Sequence, residues 1–122
     1  MNKILIIEDD IIMRNMMAQL LVREGYTVLP AVNGDEAAKH LEKESFDLVI
    51  TDIVMPQKDG IEIIMFLKRR KISIPIIAMS GGGQLRPEIY LEMAQMLGAK
   101  FTFQKPFDNR ELIKAVKVCL QK

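Results

Sequence analysis

Two kinds of apolar pattern alternate along the chain. Ile4-Leu5-Ile6-Ile7, Tyr26-Thr27-Val28-Leu29, Phe46-Asp47-Leu48-Val49-Ile50, Ile74-Pro75-Ile76-Ile77-Ala78 and Phe101-Thr102-Phe103 are short runs rich in β-branched and aromatic residues, of strand length. The first, third and fourth are nearly continuous in apolar character, the pattern of strands covered on both faces. Between them lie helix-length stretches with apolar residues three and four apart. These are Met13, Met16, Met17, Leu20 and Leu21; then Ala37, Ala38 and Leu41; Ile61, Ile64 and Leu67; Leu91, Ala94 and Leu97; and Leu112, Val116 and Cys119. Punctuation falls where helices should start or stop. Gly25 and Gly98 follow the first and fourth helices as C′ residues. Pro87 suits a first turn, and Asp108 with Glu111 three residues on forms a capping pair.

Five strand–helix repeats in a row predict a single α/β domain with a five-stranded parallel sheet and helices on both faces, because right-handed crossovers cover each side. The methionine stripe of the first helix reads as core. At 122 residues the whole chain, 1–122, is one domain's worth, long enough to bury a core without staples. A net charge of +1 gives no reason to expect nucleic acid or an anionic membrane as partner. The apolar run after Lys3 is cut off by acidic residues, too short for a leader or a membrane span, so the chain reads as cytoplasmic. One cysteine, Cys119, permits no internal disulfide, and its apolar neighbours mark it as a packed thiol.

Ligands of parallel α/β sheets bind at the carboxyl ends of the strands, so the residues just past each strand matter most. Glu8, Asp9 and Asp10 follow the first strand, Asp52 the third, Ser80 with Gly81-Gly82-Gly83 the fourth, and Lys105-Pro106 the fifth. Taken singly, each has an ordinary explanation. An acid after a strand is most often a helix cap, which is the reading for Asp10, and a glycine cluster most often marks a loop. Together they are specific. Carboxylates converging from two strand ends repel one another unless a cation intervenes. Lys105 supplies one positive charge, and a hard divalent cation such as Mg²⁺ the rest. Such a site suits phosphoryl transfer to a carboxylate, with Ser80 donating to phosphoryl oxygens.

On Ile6-Ile7-Glu8-Asp9, Thr51-Asp52-Ile53-Val54-Met55-Pro56 with Asp59-Gly60, Ala78-Met79-Ser80-Gly81 and Lys105-Pro106-Phe107, the chain resembles the response-regulator receiver family over its whole length. The resemblance implies a doubly wound fold with strand order 2-1-3-4-5. It implies that Asp52 accepts a phosphoryl group from a histidine kinase or histidine phosphotransfer protein. It further implies that Asp9, Asp52 and the Val54 carbonyl bind Mg²⁺, with Glu8 acting through a bound water. Ser80 and Lys105 would contact the phosphoryl oxygens, and Lys105-Pro106 would be a cis peptide. The expected function is that of a free-standing, phosphorylation-switched binding module for a downstream protein effector, not an enzyme beyond its own phosphorylation and slow dephosphorylation.

Two departures from the family pattern stand out. Glu8 occupies a place where Asp is commoner. Thr102 stands three residues before the lysine, where the family often has a switching aromatic ring. That leaves the Gly81-Gly82-Gly83 loop and the start of the fourth helix as the expected switching element. With Val54 and Gly82 flanking the site, neither able to orient a water, the phosphoryl group is expected to be long-lived. Two other readings belong to different classes. An aspartyl-phosphate phosphohydrolase normally carries a second acid two residues past its nucleophile, where this chain has Val54. A phosphorylation-independent interaction module would not need every acidic, hydroxyl and lysine position filled. His40 reads as a solvated helix residue, and the Lys68-Arg69-Arg70-Lys71 run as charge complementing a helix end.

Overall fold

The computed structural model describes residues 2–53, 60–80, 92, 94–96 and 98–121 of the chain. Five strands, β1 (Lys3–Ile7), β2 (Thr27–Ala31), β3 (Leu48–Asp52), β4 (Ile76–Ser80) and β5 (Phe101–Gln104), form one parallel sheet in the order β2-β1-β3-β4-β5. Four helices have bounds among the described residues: α1 (Ile11–Arg23), α2 (Gly34–Lys43), α3 (Gly60–Arg69) and the C-terminal α4 (Asn109–Leu120). Residues 92 and 94–96 are also helical, and the rest of the helix expected there, with Pro87, lies outside the described residues.

The doubly wound architecture follows from side-chain alternation. Ile4 and Ile6 of β1, Leu48 and Ile50 of β3, and Ile77 and Met79 of β4 point to one face. There they meet Met17 and Leu21 of α1 and Leu112, Ala115 and Val116 of α4. Leu5 and Ile7, Val49, and Ile76 and Ala78 point to the other face, where Ala37 and Leu41 of α2 and Ile63, Ile64 and Leu67 of α3 cover them. Because both faces are buried, the alternation is invisible as hydropathy and the strands read as continuous apolar runs. Pro30 sits in β2, an edge strand, where a missing ladder donor is tolerated.

Helix ends follow the local chemistry. The Asp10 carboxylate accepts from the Ile12 and Met13 amides, Asn33 caps α2 through Glu36 N, and Asp108 caps α4 through Arg110 N. Gly25 and Gly98 have φ of 95° and 107°, left-handed conformations that a Cβ would strain.

Two sequence expectations shift. β3 and β4 begin and end two residues later than their apolar runs, so Asp52 and Ser80 are the last residues of strands, not loop residues. The reason is the ladder: Asp52 pairs with Met79 and Ser80 with Gln104. The methionine stripe also splits, with Met17 buried but Met16 38% exposed, because α1 meets the sheet along a narrow line.

Candidate functional site

The chain runs from β1 toward one edge of the sheet and then returns past β1 to build β3, β4 and β5. Helices therefore leave β1 and β3 on opposite faces, and a crevice opens between the carboxyl ends of those two strands. The register fills that crevice. Ile7 pairs with Thr51, so the next residues, Glu8 and Asp52, lie side by side. Asp52 pairs with Met79, which puts Ser80 one residue beyond, and Ser80 pairs with Gln104, which puts Lys105 one residue beyond that. The Lys105 amide extends the ladder to the Ser80 carbonyl at 2.9 Å. The Lys105–Pro106 peptide is cis.

One carboxylate oxygen each from Glu8, Asp9 and Asp52 lies within 4.8 Å of the others. Glu8 is completely buried, Asp52 is 6% exposed and Asp9 is open to solvent. Lys105 Nζ bridges the two buried acids, donating to Glu8 Oε1 at 2.6 Å and to Asp52 Oδ2 at 2.9 Å. The extra methylene of Glu8, relative to an Asp, lets the side chain double back. Its Oε2 accepts from the Asp10 amide at 3.2 Å while Oε1 reaches Lys105. Asp10 itself turns away to cap α1, as its position after the strand foretold.

The charges are tightly coupled. Burial, partly offset by the hydrogen bond from Lys105 and reinforced by the Asp52 charge, pushes Glu8 up to about 7. For Lys105, burial works against the ammonium, but the hydrogen bonds and charges of Glu8 and Asp52 outweigh it and raise its pKa. Among the described residues the buried Ser80 hydroxyl has no hydrogen-bond partner, an uncommon state for a buried oxygen. Three carboxylates within ion-bridging distance form a hard-oxygen donor set that fits a divalent cation of the Mg²⁺ or Ca²⁺ type.

Glu8, Asp9, Asp52 and Lys105 thus lie together, and Ser80 stands at the end of the adjacent strand. Val54, Gly82 and the glycine loop lie outside the described residues. Arg14 was not anticipated. Its Nη1 donates to the carbonyl oxygen of Glu8 at 2.9 Å and approaches that of Asp9 at 3.5 Å. The signal was present in principle: a cation one turn into a helix sits at the positive end of the dipole and needs an acceptor.

Residues outside the pocket take plain structural roles. Cys119 packs beside the α1 and α4 core, and burial pushes its thiol pKa up. His40 faces Glu36 across one turn of α2 at 3.9 Å. Lys68 and Arg69 lie in the last turn of α3, and Arg70 pairs with Glu42 and stacks on the Phe66 ring. Among the described residues, no helix is long and apolar enough to cross a membrane.

A doubly wound sheet carrying an acid pocket at its strand-order reversal is the arrangement of a phosphoacceptor α/β domain, and the comparisons with known proteins narrow it to one family. The response regulator receiver domain model matches residues 4–117, and the chain belongs to that family. It is 34% identical to the transcriptional regulatory protein CpxR of Escherichia coli over 122 residues, covering all of this chain and 50% of CpxR. The chain thus spans about half the length of the curated relatives it matches. Among solved structures it resembles the response regulator TrrA of Thermotoga maritima in complex with Mg(2+)-BeF. That match has TM-score 0.82 and 31% identity, covering 98% of this chain and all of TrrA. The chemotaxis protein CheY4 of Vibrio cholerae superposes with TM-score 0.85 at 30% identity, covering 98% and 99% of the two chains. Receiver domains of two-component response regulators are phosphoacceptors rather than conventional enzymes.

Proposed function

We propose that this receiver takes a phosphoryl group onto Asp52 from a histidine kinase or histidine phosphotransfer protein, and that the modified state changes its affinity for a downstream protein. One observation carries the reading: Asp52 lies at the strand-order reversal with two further carboxylates within ion-bridging distance, Lys105 on its Oδ2, and a hydroxyl without a partner among the described residues, Ser80, at the next strand end.

In the transfer, an Asp52 carboxylate oxygen forms a bond to phosphorus as the P–N bond of a phosphohistidine breaks. The electron pair leaves with the imidazole nitrogen, which recovers a proton from solvent. Lys105 holds Asp52 through Oδ2 and presents its ammonium to the incoming phosphoryl oxygens. The Ser80 hydroxyl, without a partner among the described residues, donates to one of those oxygens. Mg²⁺, supported by the donor set here and by the Mg(2+)-BeF complex of TrrA, would be held by Asp9, Asp52 and the Val54 carbonyl, with Glu8 through a water. When bound it supplies charge neutralisation to the phosphoryl oxygens.

The receiver unit would accept the phosphoryl group in the same way whether alone or joined to another domain. It includes a cytoplasmic setting and slow self-dephosphorylation. The test is intact-mass measurement after incubation with a small phosphodonor and Mg²⁺. Wild type should gain one acid-labile phosphoryl group and Asp52→Asn none; equal labelling of the two would refute the proposal.

A further inference from the structure

The Asp9 carboxylate is exposed, and among the described residues no hydrogen bond or ion pair reaches it. Its place beside Glu8 and Asp52 is therefore set by the backbone of the turn that carries it, between β1 and α1. That turn has few restraints. The Glu8 amide donates to the Ala31 carbonyl at 3.0 Å, and the Asp10 amide donates to Glu8 Oε2 at 3.2 Å. Asp10 is tied to α1 by its cap to the Ile12 and Met13 amides, and Lys105 holds the Glu8 carboxylate. The Glu8 and Asp9 carbonyls, however, are gripped by Arg14, whose Nη1 donates to the Glu8 carbonyl at 2.9 Å and approaches the Asp9 carbonyl at 3.5 Å.

We infer that Arg14 is a positioning residue for the divalent-cation site, holding the Glu8–Asp9 turn so that the Asp9 carboxylate faces Asp52. The choice of acceptors is the telling detail. Lys105 occupies carboxylate oxygens of Glu8 and Asp52, whereas Arg14 takes only main-chain carbonyls. It restrains the acid pair without competing for the oxygens a cation needs. A guanidinium suits this task because it is always charged and planar, and a single nitrogen, Nη1, carries two N–H donors that face both carbonyls. Groups that orient metal ligands from outside the coordination sphere typically contribute 10–100-fold in metal affinity. Simple charge repulsion predicts the opposite sign, because removing a cation from near the site would tighten binding of Mg²⁺.

This inference rests on the proposed reading of the acid pocket, and the experiment separates the two. Mg²⁺ is titrated calorimetrically into wild type, Arg14→Met, Arg14→Lys and Asp9→Ala, with circular dichroism confirming the fold of each. Methionine keeps the aliphatic stem and removes every donor. The expected result is about tenfold weaker binding in Arg14→Met. Arg14→Lys, which keeps a charged donor on a shorter side chain without the planar guanidinium, should fall between Arg14→Met and wild type, and it carries the test if the methionine variant does not fold. Equal or tighter binding in both Arg14 variants, with binding still lost in Asp9→Ala, overturns the role of Arg14 alone. Wild-type affinity in Asp9→Ala overturns the reading of the pocket and the inference together.

Discussion

At the carboxyl ends of β1 and β3, Glu8 is fully buried and Asp52 nearly so, and both are bound to the same lysine. At the β5 edge of the sheet, Phe101, Thr102 and Phe103 are all half-buried, and with Glu111, Lys114, Ala115 and Val118 of α4 they line a cavity of about 200 Å³. Phe103 and Phe107 make a loose tilted ring pair there, with centroids 5.9 Å apart. In the first region the charges are buried and paired with one another; in the second the charges that line the cavity, Glu111 and Lys114, are exposed to solvent. A buried carboxylate that loses its partner is costly, so at the first region each residue dictates its neighbours' chemistry. At the second, many side chains fit, and the one that stands there, Thr102, follows from nothing around it.

Substitutions should break the two regions unequally. The largest stability effect belongs to Lys105→Met, which leaves two acids facing one another without a cation. A loss of about 3 kcal/mol in urea unfolding is expected, greater at pH 8 than at pH 5 because Glu8 is then ionised. Wild-type stability would mean the pocket does not depend on that charge.

Glu8→Gln should act in the other direction. The value of about 7 for Glu8 in the fold exceeds its ordinary 4.5, so the folded protein holds an extra proton between those limits. The associated stability is complete below pH 4.5 and lost as pH rises through about 7. Glutamine mimics the protonated acid, so the variant should gain on the order of 2 kcal/mol at pH 8 and nothing at pH 4. A gain that does not vary with pH would contradict the cause given for the shift.

Asp9 and Asp10 sharpen the contrast within a single turn. Asp10→Ala removes the α1 cap and should lower stability by about 1 kcal/mol while leaving Mg²⁺ affinity nearly unchanged. Asp9→Ala should do the reverse, and calorimetry beside thermal melts distinguishes them. Smallest of all is Thr102→Phe, with open space beside it. A stability change under about 0.5 kcal/mol and unaltered Asp52 labelling are expected. A loss of several kcal/mol would show the β5 edge to be packed as tightly as the pocket.

The same contrast explains what could be read from the chain. Glu8, Asp9, Asp52, Ser80 and Lys105 were legible because converging charges need one another, whatever the packing around them. The extents of β3 and β4 were not, because Thr51, Asp52 and Ser80 continue a hydrogen-bonded ladder that hydropathy does not record. Nor was the exposure of Met16, since spacing shows a helix stripe but not how narrowly it meets the sheet. Arg14 was missed because its acceptors are main-chain carbonyls, which no residue type advertises.

Three carboxylates lie within reach of one another, and the account rests on which of them is the nucleophile. Borohydride reduction of the phosphodonor-treated protein converts an acyl phosphate to an alcohol, and peptide mass mapping then locates it. The account predicts the reduced residue at position 52 and nowhere else, in an amount that depends on Mg²⁺. Reduction at Glu8 or Asp9, with position 52 unmodified, would contradict it.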